Sequence, residues 1–532
     1  MHSQITTLLT WFLGICSAFA WMAAFSQSPG SVDASFGQAG WTRLDLAEQE
    51  EVLQLGWKGN GWVALSSYQD SVHTGYRLVG LSPGGQLDPS FGTQGGLELD
   101  SAGLLGFHAV DLLTLANGDI MVLAGGLDPL SNKRVLAFMQ FNPSGAPDST
   151  FGNSGVQWVA FAGLHGDPKG MVLQPDGKIV YVGLGTDTVM AFQRHPLVGR
   201  ILPTGRVDSS FGGTGKMILN YQLGLVDVRG PHGSSGAFDD VAVFPDGSIL
   251  CAGSAASLAN SKASLVMFLP NGELDTTFYG TGIYLWDINP GYGSAMHQVH
   301  ALDGKDMALL PDFDPGLFAA DFYVQTSLSG APLQFPTGHG QLGLTEYAWA
   351  MTPDLGGHLV VCGSSRDLAS VDSADRFTLM RVQTASTALD STWGSGGWFR
   401  ALPPGSTWAT ARALSVAPDG KILAGGHMRS QNPAGQDLVF TRLLAGIPLG
   451  GNTWQEPGKI MVFPSPASDH LTVKGHVRGV SWKLLDLQGR TVASGSLSVG
   501  ETDIPVANCP RGLYLLLMTQ GGQNSIQRVV LN

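Results

Sequence analysis

Any chemistry this chain performs has to come from side chains that converge, and the sequence offers few such sets. It holds no HExxH helix, no GxSxG turn, no glycine-rich phosphate loop and no regular calcium loop. Histidines recur just ahead of apolar runs, at His108, His165, His232, His297 and His300, and Glu50, Glu51, Asp239, Asp240, Trp408 and Arg412 stand at similar places. A carboxylate pair such as Glu50 and Asp240 would suit acid–base work on a glycosidic bond if the fold set the two at the right separation. Asp312, Asp314 and Asp321 could be cation ligands, but their spacing fits no calcium loop, so they are taken as an acidic turn. Cys16, Cys251, Cys362 and Cys509 make neither a disulfide framework nor a zinc set. The expectation is no catalytic, cofactor-binding or metal-binding residue and no cofactor. A net charge of −13 provides no positive footprint for nucleic acid.

What must position such residues is a repeat. An acid, a hydroxyl residue, an aromatic and two glycines return as DASFGQAG from Asp33, DPSFGTQG from Asp88, DSTFGNSG from Asp148 and DSSFGGTG from Asp208. DTTFYGTG from Asp275 and DSTWGSGG from Asp390 continue the series. The starts are 55, 60, 60 and 67 residues apart, then 115, which leaves room for a worn copy at SGAPLQFPTGHG from Ser329. A second phrase keeps step: an apolar run, a Pro-Asp-Gly type turn and another apolar run, as in VLQPDGKIVYVG from Val172, VAVFPDGSILCAG from Val241 and VAPDGKILAGG from Val416. Asp-Gly between alternating apolar runs marks a hairpin, because glycine accepts positive φ. A third strand precedes each aromatic phrase, and a fourth comes after it.

Four short strands per period predict a radial repeat in which no unit buries a core alone. The fold class is therefore all-β: a seven-bladed β-propeller followed by a small Ig-like β-sandwich. The first phrase and its outer strand (33–46) precede any hairpin, and the last unit ends on its third strand (438–444). The N-terminal strand is expected to complete the last blade. The structural repeat residues are Asp88, Phe91 and Gly92, Asp148, Phe151 and Gly152, and Asp208, Phe211 and Gly212. The Asp is expected to brace a turn, the aromatic to pack between blades, and the glycine to allow the bend. The pairing of PDGKI-type hairpins with LDxSFGxxG phrases resembles the delta-60 repeat family of bacterial β-propellers over roughly residues 33–450. That resemblance implies the fold and an extracellular habit, and no catalytic residue.

The two ends carry addresses. Leu8 to Phe25 is almost unbroken apolar sequence with Ala18-Phe19-Ala20 as an Ala-x-Ala cleavage site, so residues 1–26 are assigned as a signal peptide, 27–450 as the propeller and 451–458 as a linker. Residues 459–532 show short alternating strands separated by turns. Their motifs resemble the type A C-terminal sorting domain of type IX secretion: Pro464 and Pro466 in the opening, Asp486, Gly489 and Arg490 in the central turn, and Gly512 and Tyr514 in the strand before the basic end. The resemblance implies the type IX secretion machinery as a partner and a secreted or outer-membrane cell-surface location, with no integral membrane segment after processing. Two functions stay open. One is a non-catalytic binding or adhesion scaffold for a glycan or protein on one propeller face. The other is a hydrolase or lyase acting on polysaccharide at the channel mouth. Loops after the second strands, from Gly126, Gly363 and His427, open on that same face and favour recognition.

Overall fold

In a computed structural model the described residues are 28–189, 193–219, 235–256, 261–286, 294–302, 306–313, 323–325, 344–367, 374–384, 388–430, 435–444, 461–463, 467–475, 480–486, 491–498, 500–520 and 523–531. The signal segment 1–26, His232, Asp314, Asp321, the worn phrase from Ser329, the linker 451–458, and Pro464, Pro466, Gly489 and Arg490 lie outside them. Asp312 stands on a strand, but its side chain is outside the described set.

The described residues form strands and turns and no helix, so none is long and apolar enough to cross a membrane as a helix. The chain has a β-propeller fold. Successive antiparallel sheet units begin on inner strands at Gln49–Trp57, Leu105–Thr114, Leu164–Leu173, Ser235–Val243, Ser294–Ala301, Leu344–Pro353 and Ser406–Val416. Each inner strand turns back through its hairpin onto a second strand and then a third. Neighbouring inner strands pack on one another around a closed circuit, the last against the first. The N-terminal strand Trp41–Leu44 pairs antiparallel with Gln436–Leu443, the third strand of the last unit, with Trp41 opposite Thr441 and Leu44 opposite Leu438. Apolar side chains fill the space between units, which is why no unit has a core of its own.

The recurring phrase sits where one unit meets the next. The carboxylate of Asp208 accepts the backbone N–H and hydroxyl of Ser210 at 3.1 and 2.6 Å, and its other oxygen accepts Arg200 Nε at 2.8 Å. Arg200 then reaches the next unit, donating to the Pro270 carbonyl at 2.6 Å. Arg442 repeats the arrangement at the closure: it pairs with Asp33 at 2.7 Å and donates to the carbonyl of Pro83. Gln140 donates to Asp148 and Lys58 to Asp88 within their own units. The glycine after the aromatic donates its N–H across the gap: Gly92 to Ser144, Gly152 to Thr204 and Gly212 to Asn271, at 2.8 to 2.9 Å. Gly92 has φ +54°, and a Cβ there would lie 2.2 Å from the Gly96 carbonyl. Phe91, Phe151 and Phe211 are fully buried, each against a glycine of the following unit's turn: Gly145, Gly205 and Gly272.

After the propeller, Met461–Phe463, His470–Gly475 and Gly500–Pro505 form one small sheet. Thr491–Ser496, Ser481–Leu485, Gly512–Gln520 and Gln523–Leu531 form another. Leu471, Val473, Trp482, Leu484, Ile504, Tyr514, Leu516 and Met518 share a core with both.

Candidate functional site

Every inner strand carries a β-bulge, at Leu53, Val110, Lys169, Asp239, His297, Trp349 and Arg412. A bulge adds one unpaired residue and re-aims the side chains beyond it. The residue after the bulge then faces the channel, and where it is polar it ties units together. Asp111 accepts Gln54 Nε2 from the preceding unit at 3.1 Å and the Met171 N–H from the following one at 2.9 Å. Asp240 accepts the N–H groups of Val241 and, one unit on, Val299, both at 2.8 Å. Gln298 accepts the N–H of Met351 at 2.7 Å. Burial pushes the Asp111 carboxyl up to about 6 and the Asp240 carboxyl up to about 8, the latter helped by the Asp111 charge.

These bonds decide what the carboxylates do. Both oxygens of Asp240 are engaged by backbone donors, and Glu50 has different partners: the Leu46 N–H at 2.8 Å and Arg77 at 3.6 Å. Burial lifts Glu50 to about 7. Sequence could suggest the pair, but Glu50 holds the Leu46 N–H and faces Arg77, while Asp240 is tied to the backbone of its own and the next unit. Among the described residues no group of His, Cys, Asp and Glu is arranged to hold a metal ion. Cys251 and Cys362 are buried free thiols whose ionisation burial suppresses, and Cys509 is also free.

The bulged residues themselves lie toward the mouth, the end opposite the hairpin turns. Lys169, His297 and Trp349 are exposed there, with Tyr347 two residues before Trp349. Arg412 lies over the Trp349 ring, 3.8 Å from its centre, and pairs with Glu51 of the first unit. Lys169 faces Asp239 at 3.8 Å. Asp167 accepts Arg134 at 2.8 Å, with His108 4.0 Å away, and His165 takes the N–H of Arg134. Trp408 donates to Asp375 at 2.7 Å, Arg366 grips the same carboxylate, and the Trp408 ring lies 5.3 Å from His427. Burial and the charges of Arg412 and Arg429 bring His427 down to about 3, so it is neutral. The mouth is thus mixed in charge, with exposed aromatic rings.

His300 does not belong to this rim. It lies on the hairpin side of its bulge and contacts the Met351 carbonyl at 2.7 Å. Trp349, Tyr347 and Lys169 are mouth residues that sequence reasoning passed over. The signal was a misfit residue in the alternating inner strand, which a bulge resolves.

The hairpin end differs. A cavity of about 400 Å³ fills that half of the channel, lined by inner-strand residues and by Lys483, Leu485, Asp486, Tyr514 and Leu517 of the C-terminal sheet. Strand Gly512–Gln520 is apolar on both faces. Tyr514, Leu516 and Met518 enter its own core, whereas Leu515 and Leu517, with Leu485, join Leu355, Leu414 and Val416 of the propeller. Gly512 sits against the hairpin tip: a Cβ there would lie 2.6 Å from Ala116 Cβ. Asp486 and Tyr514 of the sorting motifs therefore border the channel, and the Tyr514 hydroxyl donates to the Pro510 carbonyl at 2.8 Å.

Residues 461–532 match the family model described as a secretion system C-terminal sorting domain. Residues 174–211 and 245–278 match the one described as a domain of unknown function (DUF5122) beta-propeller. The chain is therefore a propeller-repeat protein with a type IX sorting tail, and it is exported to the cell surface or the extracellular space. No curated protein matches it. Among solved structures, a protein of unknown function from Dyadobacter fermentans is 12% identical, covering 76% of this chain and 98% of its own at a TM-score of 0.37. The β-propeller domain of the Trilobed protease from Pyrococcus furiosus is 7% identical, covering 75% and 97% at 0.41. PorZ, a surface component of the type-IX secretion system of Porphyromonas gingivalis, is 10% identical, covering 92% and 100% at 0.21. At these scores the likenesses carry no functional argument.

Proposed function

We propose that this protein is a secreted or cell-surface, non-catalytic binding scaffold. It comprises a signal peptide over 1–26, a seven-bladed propeller over 27–450, a linker over 451–458 and an Ig-like sorting sandwich over 459–532. The Asp-aromatic-Gly phrases, with Asp88, Phe91 and Gly92 and their counterparts, serve as structural locks between blades. The sorting tail engages the type IX machinery, and the propeller mouth engages the ligand.

One observation carries the binding assignment: the mouth collects exposed Trp349 and Tyr347 beside paired charges, while Asp111 and Asp240, deeper in the channel, hold backbone N–H groups of neighbouring units. An exposed indole beside polar groups suits the apolar face and hydroxyls of a sugar ring. The ligand class is accordingly a glycan. The test is a glycan array with the purified chain, followed by titration of Trp349→Ala. Binding that weakens about tenfold in the variant supports the reading. Binding indifferent to Trp349 contradicts the site. Release of shortened sugar products by the intact chain would replace it with the hydrolase or lyase reading.

A further inference from the structure

One strand of the C-terminal domain is apolar on both sides. In Gly512–Gln520 the inward residues Tyr514, Leu516 and Met518 fill the domain's own core. The outward residues Leu515 and Leu517 are 1% and 5% exposed, and Leu485 from the neighbouring strand is 3% exposed. A strand at the surface of a free-standing sheet alternates apolar and polar. This one does not, because its outer face is covered by the hairpin end of the propeller, where Leu355, Leu414 and Val416 meet it. The contact spans the ring: Gly512 abuts Ala116 in the second unit, while the leucines meet the sixth and seventh. The cavity of about 400 Å³ beneath has its walls from the inner strands and its floor from Lys483, Leu485, Asp486 and Leu517.

We propose that the sorting domain is a plug: while attached, it seals the hairpin end of the propeller channel, and its displacement or removal opens that end. The occupant of this apolar end is the chain's own C-terminal sheet, and the uncovered ring is a surface that only the processed protein presents. The inference rests on the sorting assignment of the tail and is independent of what the mouth binds.

The test uses the full chain with Cys16→Ser and Cys509→Ser and one reporter at a time. Ser415→Cys lines the cavity, and His297→Cys stands exposed at the mouth. Cys251 and Cys362 are buried and give a slow background. The probe is a maleimide on a polyethylene glycol too wide to pass the channel. Two variants break the contact from opposite sides: Leu515→Asp with Leu517→Asp on the sheet, and Ala116→Asp on the hairpin tip. The expected result is slow labelling at position 415 that rises at least about tenfold in either variant, with labelling at 297 unchanged. The Ala116→Asp arm leaves the sorting domain untouched, so it stands if the double variant fails to fold. Fast labelling at 415 with the plug contact intact, or no rise in Ala116→Asp, overturns the proposal.

Discussion

The same inner strands build both ends of the channel, yet the ends have opposite character. At the mouth, bulges turn charged and aromatic side chains such as Lys169, Asp239, Trp349 and Arg412 outward, leaving His297 and Trp349 exposed, with Arg412 over one face of the Trp349 ring. At the hairpin end the strands keep regular alternation, so their apolar rows reach the edge and need cover, which Leu485, Leu515 and Leu517 supply. The bulges thus separate a mixed-charge end from an apolar, covered one. Between them, Asp111, Asp240 and Gln298 bind unit to unit and serve neither end.

This contrast can be broken at several levels. The largest effect should come from the frame both ends share. Phe211→Ala removes a fully buried ring between units and should cost about 3–5 kcal/mol in denaturant unfolding. A loss under about 1 kcal/mol would mean the phrase is not a lock. Arg442→Met strands Asp33, which also takes Lys421 at 3.0 Å, and should cost a comparable amount, about 3–5 kcal/mol, at the ring closure. The exposed pair Lys474–Glu501 is the control, and Lys474→Ala should cost less than about 1 kcal/mol.

The desolvated acids should report through pH. Asp111, Asp240 and Glu50 are acids whose folded values are raised, to about 6, 8 and 7, by burial. Below the unfolded carboxylate range of about 4 both states are protonated, and the full stability is present. It is lost as pH rises through the folded values, so the unfolding midpoint should fall between about pH 4 and pH 8. Glu50→Gln should remove its part of that fall, which begins near the unfolded value of about 4 and is complete near pH 7. Asp33 acts in the opposite sense. Ser35, Lys421 and Arg442 outweigh its desolvation and hold it well below the usual carboxylate range, so its contribution is lost only as pH falls below about 4. A midpoint flat from pH 4 to 8 would contradict the burial of these three groups. The smallest stability effect should be at the mouth: Trp349→Ala should change unfolding by less than about 0.5 kcal/mol while weakening glycan binding.

Much of this was legible in the residues. The spacing of Asp88, Asp148 and Asp208 revealed the repeat, Asp176-Gly177 and Asp246-Gly247 marked hairpins, and the phase of the first and last strands anticipated the pairing of Trp41 with Thr441. The partner of the phrase was also within reach, since Arg200, Arg381 and Gln140 precede their Asp by eight or nine residues. The site was harder. A bulge shifts register by one residue, which flips every later side chain, and alternation alone cannot say on which side of Asp240 the shift falls. Glu50 and Asp240 both carry acid–base chemistry in principle, but their commitments to Leu46 and Val299 depend on chain segments 4 and 59 residues away. The plug was written in LYLLLM, a strand apolar on both faces, but its partner surface could be found only once the hairpins were in a ring.

The central claim is that the two ends are chemically distinct and that only one is covered. Hydrogen–deuterium exchange on the full chain, against the chain carrying Leu515→Asp and Leu517→Asp, tests it directly. The account predicts faster exchange in hairpin segments 115–119, 354–358 and 414–420 of the variant, with segments 347–349 and 408–412 at the mouth unchanged. Unaltered exchange at the hairpins, or an equal rise at both ends, would contradict it.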